Sequence, residues 1–407
     1  MDEARPVVHH PREMLRIFRQ SPRDPAFVQD PWPAYDRLRA LGPAHWAELP
    51  HLEAVFAGHA EVSALLRDRR FGREAPDPAP TPPHLAPFAA LEAHSLLERE
   101  PPVHTRLRAL VSRAFTSRAV AALEPWIAAL ARDLVDRLEG PAPDLVAGYA
   151  EPLPLAVITR VLGAPPEAGP RLRAWSADMV AMYQARRDRA LEDRAATASA
   201  EFAAFMADLI ARRRARPGDA LLDRLIAARD GEDRLSEPEL VATAVLLLNA
   251  GHEATVQAIG NAVRLVAEGR IAAEAFLGPR ADAAVEETLR LAPPLHLFDR
   301  HALEDVEVFG VRFRRGERAG LLIAAAGRDP AAFPAPGRAD LARPNPAAHL
   351  AFGGGVHFCV GAPLARLEIR VALAELLRRH PRPALAEPPR IADRWHFHGH
   401  DRLRLRL

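Results

Sequence analysis

Residues 352–361 read Phe352-Gly353-Gly354-Gly355-Val356-His357-Phe358-Cys359-Val360-Gly361 and hold the chain's one cysteine. Glycines at this density let a backbone turn sharply and pass close to whatever lies beside it. Gly361 leads into Pro363 and a helical pattern from Leu364, so Cys359 stands just before a helix N-terminus, where the dipole favours a thiolate. Such a thiol can be a buried structural cysteine, a nucleophile with an adjacent base, or a metal ligand. A phosphate-cradling turn is a weaker reading, since both the G-x-G-x-x-G spacing and a Walker lysine are missing. The metal-ligand reading accounts for the glycines too, because a flat cofactor needs backbone without side chains beside it.

The chain has 407 residues, a formal net charge of +1 and 49% hydrophobic residues, enough for a large core. Near-neutrality removes the basic footprint of nucleic-acid binding. Lys is absent, so every permanent side-chain cation is Arg. The most apolar stretch, Val241 to Leu248, is far shorter than the ~20 residues that span a bilayer. No basic region followed by an apolar run opens the chain, and a lone cysteine forms no internal disulfide. The expectation is a soluble cytoplasmic protein with no nucleic-acid or membrane partner.

Helical periodicity dominates the middle of the chain, as in Ala119 to Leu138 and Ala195 to Arg214. Strand patterns are few: Leu52 to Ala57, a hairpin around Gly310 in Val306 to Phe313, and the alternating Leu403, Leu405 and Leu407. Prolines between Pro76 and Pro87 make an irregular loop. These patterns predict a mostly α protein with minor β, one domain over residues 1–407, with small β regions near 51–58, 305–326 and 394–407. One helix stands out. Ser236 and Glu239 form an S-x-x-E capping box with Pro238 in the first turn, and Gly269 offers a stop. Its roughly 30 residues at ~1.5 Å each span about 45 Å. The centre reads Leu248-Asn249-Ala250-Gly251-His252-Glu253-Ala254-Thr255. Gly251 costs about 1 kcal/mol relative to Ala, which points to a close approach to the backbone. Asn249, Glu253 and Gln257 share a face at i, i+4 and i+8, as either a solvated stripe or a polar groove lining a cavity.

The cysteine loop resembles the haem-ligand segment of the cytochrome P-450 family, F-G-x-G-x-H-x-C-x-G, at every specified position. Further matches follow along most of the chain in family order. Glu287 and Arg290 fit the E-x-x-R element, spaced to pair on a helix, and Arg343 resembles the third member of that structural ion-pair cluster. His104 and Arg108 resemble haem-propionate contacts one helical turn apart, with Arg300 and His357 as a third and fourth. Taken singly, each reads equally as a surface cation. Two propionates in an apolar pocket need cationic partners, since an unpaired buried carboxylate is costly. The resemblance implies the P-450 fold, with haem between a long distal helix and the proximal cysteine loop. It implies haem b (iron protoporphyrin IX) as cofactor, Cys359 as thiolate ligand of the metal, and Phe352, Ala250 and Ala254 against the ring. The thiolate is the family's device for favouring O–O cleavage.

The activity so implied is a monooxygenase that inserts one atom of O2 into a small hydrophobic molecule. Its two electrons would come from a separate ferredoxin served by an NAD(P)H-dependent ferredoxin reductase, since the chain has no room for a flavin or nicotinamide domain. The family's distal pattern A-G-x-[DE]-T is met by Ala250, Gly251 and Glu253, but Ala254 takes the hydroxyl position. Thr255 follows one residue later, a rotation of about 100°. Catalytic roles are expected of Glu253, Thr255 and Asn249. Glu253 would deliver protons, with water, Asn249 or a substrate hydroxyl replacing the absent threonine; the plainer reading pairs Glu253 with a nearby cation. The departure leaves open a peroxide-driven enzyme, a dehydration or rearrangement catalyst, and a haem-based binding protein or sensor. A second departure, Gly327 where the family often has Asn, is expected to change only a local turn. Substrate contacts implied by the resemblance are Leu85, Phe88 and Leu91, residues 179–194, Leu295, Leu297, Phe298, His396 and Phe397. His84, His296 and His396 would be polar anchors in an apolar pocket. Arg366 and Arg370 would meet an acidic ferredoxin, or be ordinary solvated cations.

Overall fold

Helices carry most of the chain, and short strands form one main sheet and two hairpin-sized ones. The computed structural model describes residues 25–49, 52–184, 187–393 and 397–407. The strands are β1 (Ala44–Leu49), β2 (Leu52–Phe56), β3 (Phe71–Gly72), β4 (Leu297–Ala302), β5 (Val306–Val308), β6 (Val311–Phe313), β7 (Arg318–Leu322), β8 (Ala384–Leu385) and β9 (Leu405–Arg406). The main sheet has the order β1-β2-β7-β4-β3, with β2 and β7 parallel and the other neighbours antiparallel. The hairpin expected around Gly310 is present as β5 and β6. The C-terminal alternation forms strand only at β9, with Leu403 and Leu405 buried and Leu407 exposed. β1, β3, β4 and β8 lie outside the expected β regions. β4 reads Leu-Phe-Asp-Arg-His-Ala, a mixture without strand periodicity, and its pairing with β7 decides its conformation.

The helices that build the site are α1 (Val103–Ala114), α2 (Ser117–Ala121), α3 (Glu124–Asp136), α4 (Pro152–Val161), α5 (Gly169–Val180), α6 (Arg189–Ala215), α7 (Glu237–Ala267), α8 (Ala281–Leu291) and α9 (Ala362–Arg379). The single helix expected over Ala119 to Leu138 is two, α2 and α3. Pro125 opens the second, because its fixed φ suits a first turn and its missing N–H cannot continue an earlier helix. α6 starts earlier than expected, where the Asp188 side chain accepts from the Leu191 N–H at 2.8 Å.

α7 is the long helix. The Ser236 N–H donates to the Glu239 carboxylate at 2.8 Å at its start, and the Gly269 N–H meets the Val266 carbonyl at 2.9 Å beyond its end. Its 31 residues rise roughly 46 Å. Both ends are buried on nearly every side, from Leu240 to Leu248 and from Thr255 to Val266, as in a central helix. One core cluster joins side chains of α1 through α9, and two smaller clusters serve the sheet. The close approach expected at Gly251 comes from α4: a Cβ there would lie 3.2 Å from Ile158 Cδ1. No described helix is long and apolar enough to cross a membrane.

Candidate active site

The cysteine loop is held by its own backbone and by the segment 66–67. Gly353 N–H bonds to the Leu350 carbonyl at 2.8 Å, and Cys359 N–H bonds to the Phe352 carbonyl at 3.0 Å. Gly355 has φ 67, and a Cβ on it would lie 2.3 Å from the Leu66 carbonyl oxygen. The loop glycines therefore admit a neighbouring backbone, besides whatever faces the thiol. Cys359 is open to one side. Crowding by protein on its other sides pushes the thiol up, opposed by the Gly361 and Ala362 N–H groups at the start of α9 and by Arg108 and Arg366.

Beneath the loop lies the ion cluster. Glu287 receives Arg290 at 2.6 and 2.8 Å and Arg343 at 3.1 Å. Arg290, fully buried, also donates to the Gly327, Pro336 and Arg338 carbonyls at 3.0, 2.7 and 2.9 Å. Gly327 is pressed against α8, where a Cβ would lie 2.9 Å from the Arg290 carbonyl oxygen. A second carboxylate, Glu286, was not visible in the sequence. It takes His349 at 3.0 Å and Arg366 at 2.6 and 3.0 Å. Burial alone would raise Glu286, but His349 and Arg366 hold it at about 2. Arg366 also lies 4.4 Å from the Phe352 ring centre, which fixes both side chains at the edge of the loop.

Of the expected propionate cations, Arg108 lies by Cys359, and His104, His357 and Arg300 lie around Glu100. The His104 and His357 ring centres are 4.5 Å apart, and His104 Nδ1 is buried without a partner. Burial first, then His357, drives His104 down to about 4. His357 Nε2 is 2.8 Å from Glu100 Oε1, an acid that sequence reasoning missed because 257 residues separate the pair. Arg108, half-buried beside Cys359, has no ion pair among the described residues. Arg300 is buried on β4, donates to the Asp299 carbonyl at 2.8 Å, and is lowered to about 10 by burial and Arg73, against Glu100 and Glu98. A guanidinium removed from water without a counter-charge is costly. Arg108 beside the thiol, and Arg300 without a direct ion pair among the described residues, suit a ligand that brings carboxylates, as haem does.

The middle of α7 interrupts the helix's burial. Ala250 is exposed, and Gly251, Glu253 and Ala254 are half-buried. This apolar opening suits a flat ring. Gln257 Nε2 donates to Glu253 Oε1 at 3.1 Å, so the polar face is a buried ladder and not a solvated stripe. The Asn249 amide N lies 3.7 Å from Met179 Sδ on α5, and its amide O is buried without a partner. Thr255 is buried, and its hydroxyl donates to the Gly251 carbonyl at 3.1 Å. One step of helix rotation from the usual position turns this hydroxyl into the α7 backbone.

The expected substrate residues are spread over several packed clusters. Leu85 and Phe88 pack with Met182 and Ala195, joining residues 83–92 to the start of α6. Leu91 belongs to the main core. Strand alternation sends Leu297 into the cluster of Tyr35 and Leu322 and turns Phe298 towards Gly353. Leu295 is half-buried and Phe397 buried, and His396 lies outside the described residues. Two expected anchors are structural. His84 pairs with Glu192 at 2.8 Å, and the fully buried His296 stacks on His398 at 4.0 Å and bonds Tyr35. The segments meant for an apolar pocket instead bring charge together. Arg73 meets Glu98 and, at 2.9 Å, Asp299, which also pairs with Arg318. Nearby Glu92 is pushed up to about 8 by burial and Glu98, against Arg73 and Tyr183. No periodicity marks these residues in the sequence. Arg366 and Arg370, expected to face a redox partner, each have an internal carboxylate partner. Glu286 holds the first, and Glu124 the second at 2.9 Å.

The family model for cytochrome P450 matches residues 279–386, a range that includes the ion cluster and the cysteine loop. The chain is 41% identical over 367 residues to nocardicin C N-oxygenase of Nocardia uniformis subsp. tsuyamanensis, covering 88% of this chain and 90% of that enzyme. It is 39% identical over 373 residues to the cytochrome P450 monooxygenase PikC of Streptomyces venezuelae, with 89% and 87% covered. Among solved structures, P450BioI in complex with an acyl carrier protein ligated to hexadec-9Z-enoic acid superposes with a TM-score of 0.87 at 32% identity, over 94% of this chain and all of that one. These likenesses run nearly end to end and agree with the geometry around the lone thiol. The chain belongs to the cytochrome P450 family and is a monooxygenase that binds haem b through a cysteine thiolate.

Proposed function

We propose that Cys359 is the iron ligand of this enzyme, and that His104, Arg108, Arg300 and His357 hold the haem propionates. The observation that carries this reading is Arg108, a half-buried guanidinium beside the chain's one thiol with no ion pair among the described residues. Phe352 borders the ring on the cysteine side, and Ala250 and Ala254 border it along α7. Haem, once bound, supplies O2 activation driven by two electrons and two protons. The protein supplies the rest. Arg108 and the α9 N-terminus favour the charged thiolate. Glu253 carries protons towards the haem face, and the unpartnered Asn249 amide oxygen is an acceptor for water or a substrate hydroxyl. Residues 1–407 act as one catalytic unit.

The substrate is a small hydrophobic molecule with at least one polar or ionisable group. Apolar Leu85, Phe88 and Phe397 in the expected contact segments support the first part, and the charges around Arg73 and Glu92 support the second. Electrons arrive from a separate redox partner, a ferredoxin with its reductase, in the cytoplasm. Arg366 and Arg370, paired internally yet partly exposed, present charge to an acidic partner. The decisive test is spectroscopic. The reduced, CO-bound protein shows the red-shifted Soret band of thiolate ligation, and Cys359→Ala loses it together with turnover. A normal band in the variant, or a purified protein that takes up no haem, overturns the assignment.

A further inference from the structure

The polar face of α7 continues one step beyond Glu253 and Gln257. Asn261 follows at the next i+4 position, and its Nδ2 donates to the carbonyls of His398 and Ala292 at 3.0 and 3.1 Å. The polar face therefore runs from the middle of α7 to the C-terminal turn at residues 397–400, which Asn261 holds. Within it Gln257 is buried and Glu253 half-buried, so the amide is the inner anchor and the carboxylate the outer end.

The opposite side of Gln257 meets Gly399. A Cβ on Gly399 would lie 1.9 Å from Gln257 Oε1, 2.7 Å from its Cδ and 2.8 Å from its Cβ. The amide oxygen could swing away, but the Cβ is rooted in the helix. The turn cannot retreat either. His398 N–H bonds the Pro294 carbonyl at 2.7 Å, the His398 ring stacks on His296, and the Ala392 N–H bonds the Gly399 carbonyl at 2.8 Å.

We infer that Gln257 is a positioning residue for Glu253, and that Gly399 is the bare wall against which Gln257 is aimed. An i, i+4 amide–carboxylate pair on a solvated helix does little, because water competes for both groups. Here the amide is out of water, so its bond restricts where the carboxylate points. A proton carrier works only within hydrogen-bond reach of the groups it serves. With Ala254 and the back-bonded Thr255 supplying no hydroxyl, Glu253 depends more on its own orientation. The Gly399 turn, in a segment implied to contact substrate, thereby sets the aim of the proton carrier from outside α7.

The inference rests on the proposed proton role of Glu253, and the experiment separates the two. Glu253→Gln, Gln257→Met, Gly399→Ala and the Gln257→Met/Gly399→Ala double variant are purified, and haem loading is checked by the reduced-CO spectrum. Oxygen consumption driven by NADH, ferredoxin and reductase, with no organic compound added, is followed in H2O and D2O from about pH 6 to about pH 8. Gln257→Met and Gly399→Ala should each slow consumption several-fold, enlarge the solvent isotope effect and displace the pH profile. The double variant should be no slower than Gln257→Met, because both changes act through one bond. A crystal structure of Gly399→Ala should place the Gln257 amide beyond hydrogen-bond reach of Glu253. If Gln257→Met keeps the parent rate, isotope effect and pH profile while Glu253→Gln changes them, the positioning role is overturned and the proton role stands. If Glu253→Gln itself matches the parent, the proton role fails. Should Gly399→Ala lose haem, Gln257→Met alone decides.

Discussion

In the ion cluster of Glu286 and Glu287 the polar side chains are tied to distant parts of the chain, whereas along the middle of α7 they are tied to their own helix or left with an unpartnered atom. Glu287 alone gathers Arg290, Arg343 and the Asp340 N–H, and Glu286 gathers His349 and Arg366. On α7, Thr255 bonds Gly251, Gln257 bonds Glu253, and the Asn249 amide oxygen has no partner. The ion cluster is a closed electrostatic frame that reaches the cysteine loop through Arg366 against Phe352. The helix side has unspent hydrogen-bonding capacity, which is what proton transfer to changing partners requires.

This contrast is easiest to break at Glu287. Removing it by Glu287→Ala leaves Arg290 and Arg343 buried without a counter-charge, a loss of about 3–5 kcal/mol. Urea unfolding should show a much lower midpoint with haem loading reduced in step. A midpoint near that of the parent would mean that the cluster does not frame the loop.

A smaller effect follows from the histidines packed between β4 and the C-terminal turn. Burial drives His398 to about 3 and His400 to about 4, and His296 lies well below its usual value. In the unfolded chain these rings titrate near 6.5. Below that pH the unfolded state binds protons that the folded state refuses, so their contribution is whole above about 6.5 and is lost as pH falls towards about 4. The slope is about 1.4 kcal/mol per pH unit for each histidine inside that window. Melting temperature measured between pH 7.5 and pH 5 should fall, and His398→Gln should flatten the fall; an unchanged slope would place the acid sensitivity elsewhere.

The smallest effect is expected at Thr255. Its hydroxyl serves only the Gly251 carbonyl, so Thr255→Val should cost no more than about 1 kcal/mol of stability and leave oxygen consumption unaltered. A large loss of turnover would place Thr255 in the catalytic set and erase the contrast between the two sides.

Local patterns in the chain located much of this. The cysteine loop, the Glu287–Arg290 pair, the capped ends of α7 and the β5–β6 hairpin each depend on neighbours within a few residues, where bond geometry and helix or strand period act directly. The division of the helix at Pro125 was within reach of the same reasoning. The partners of the expected cations were not. Glu100 stands 257 residues from His357, and Glu286 stands 80 residues from Arg366. Arg366 and Arg370 look in sequence like any solvated cation on a helix, and only the packing of α8 and α3 against α9 brings carboxylates to them.

The sequence by itself determined that one thiol sits in a glycine-rich loop before a helix, that cations fall at set distances from it, and that α7 has Ala254 where a hydroxyl is usual. Tertiary structure alone decided which cations stay free of carboxylates, that Leu297 and Phe298 part company across β4, and that Gly399 stands against Gln257. The reason is that periodicity determines which face a side chain takes on its own element, while its partner depends on how elements far apart in the chain pack.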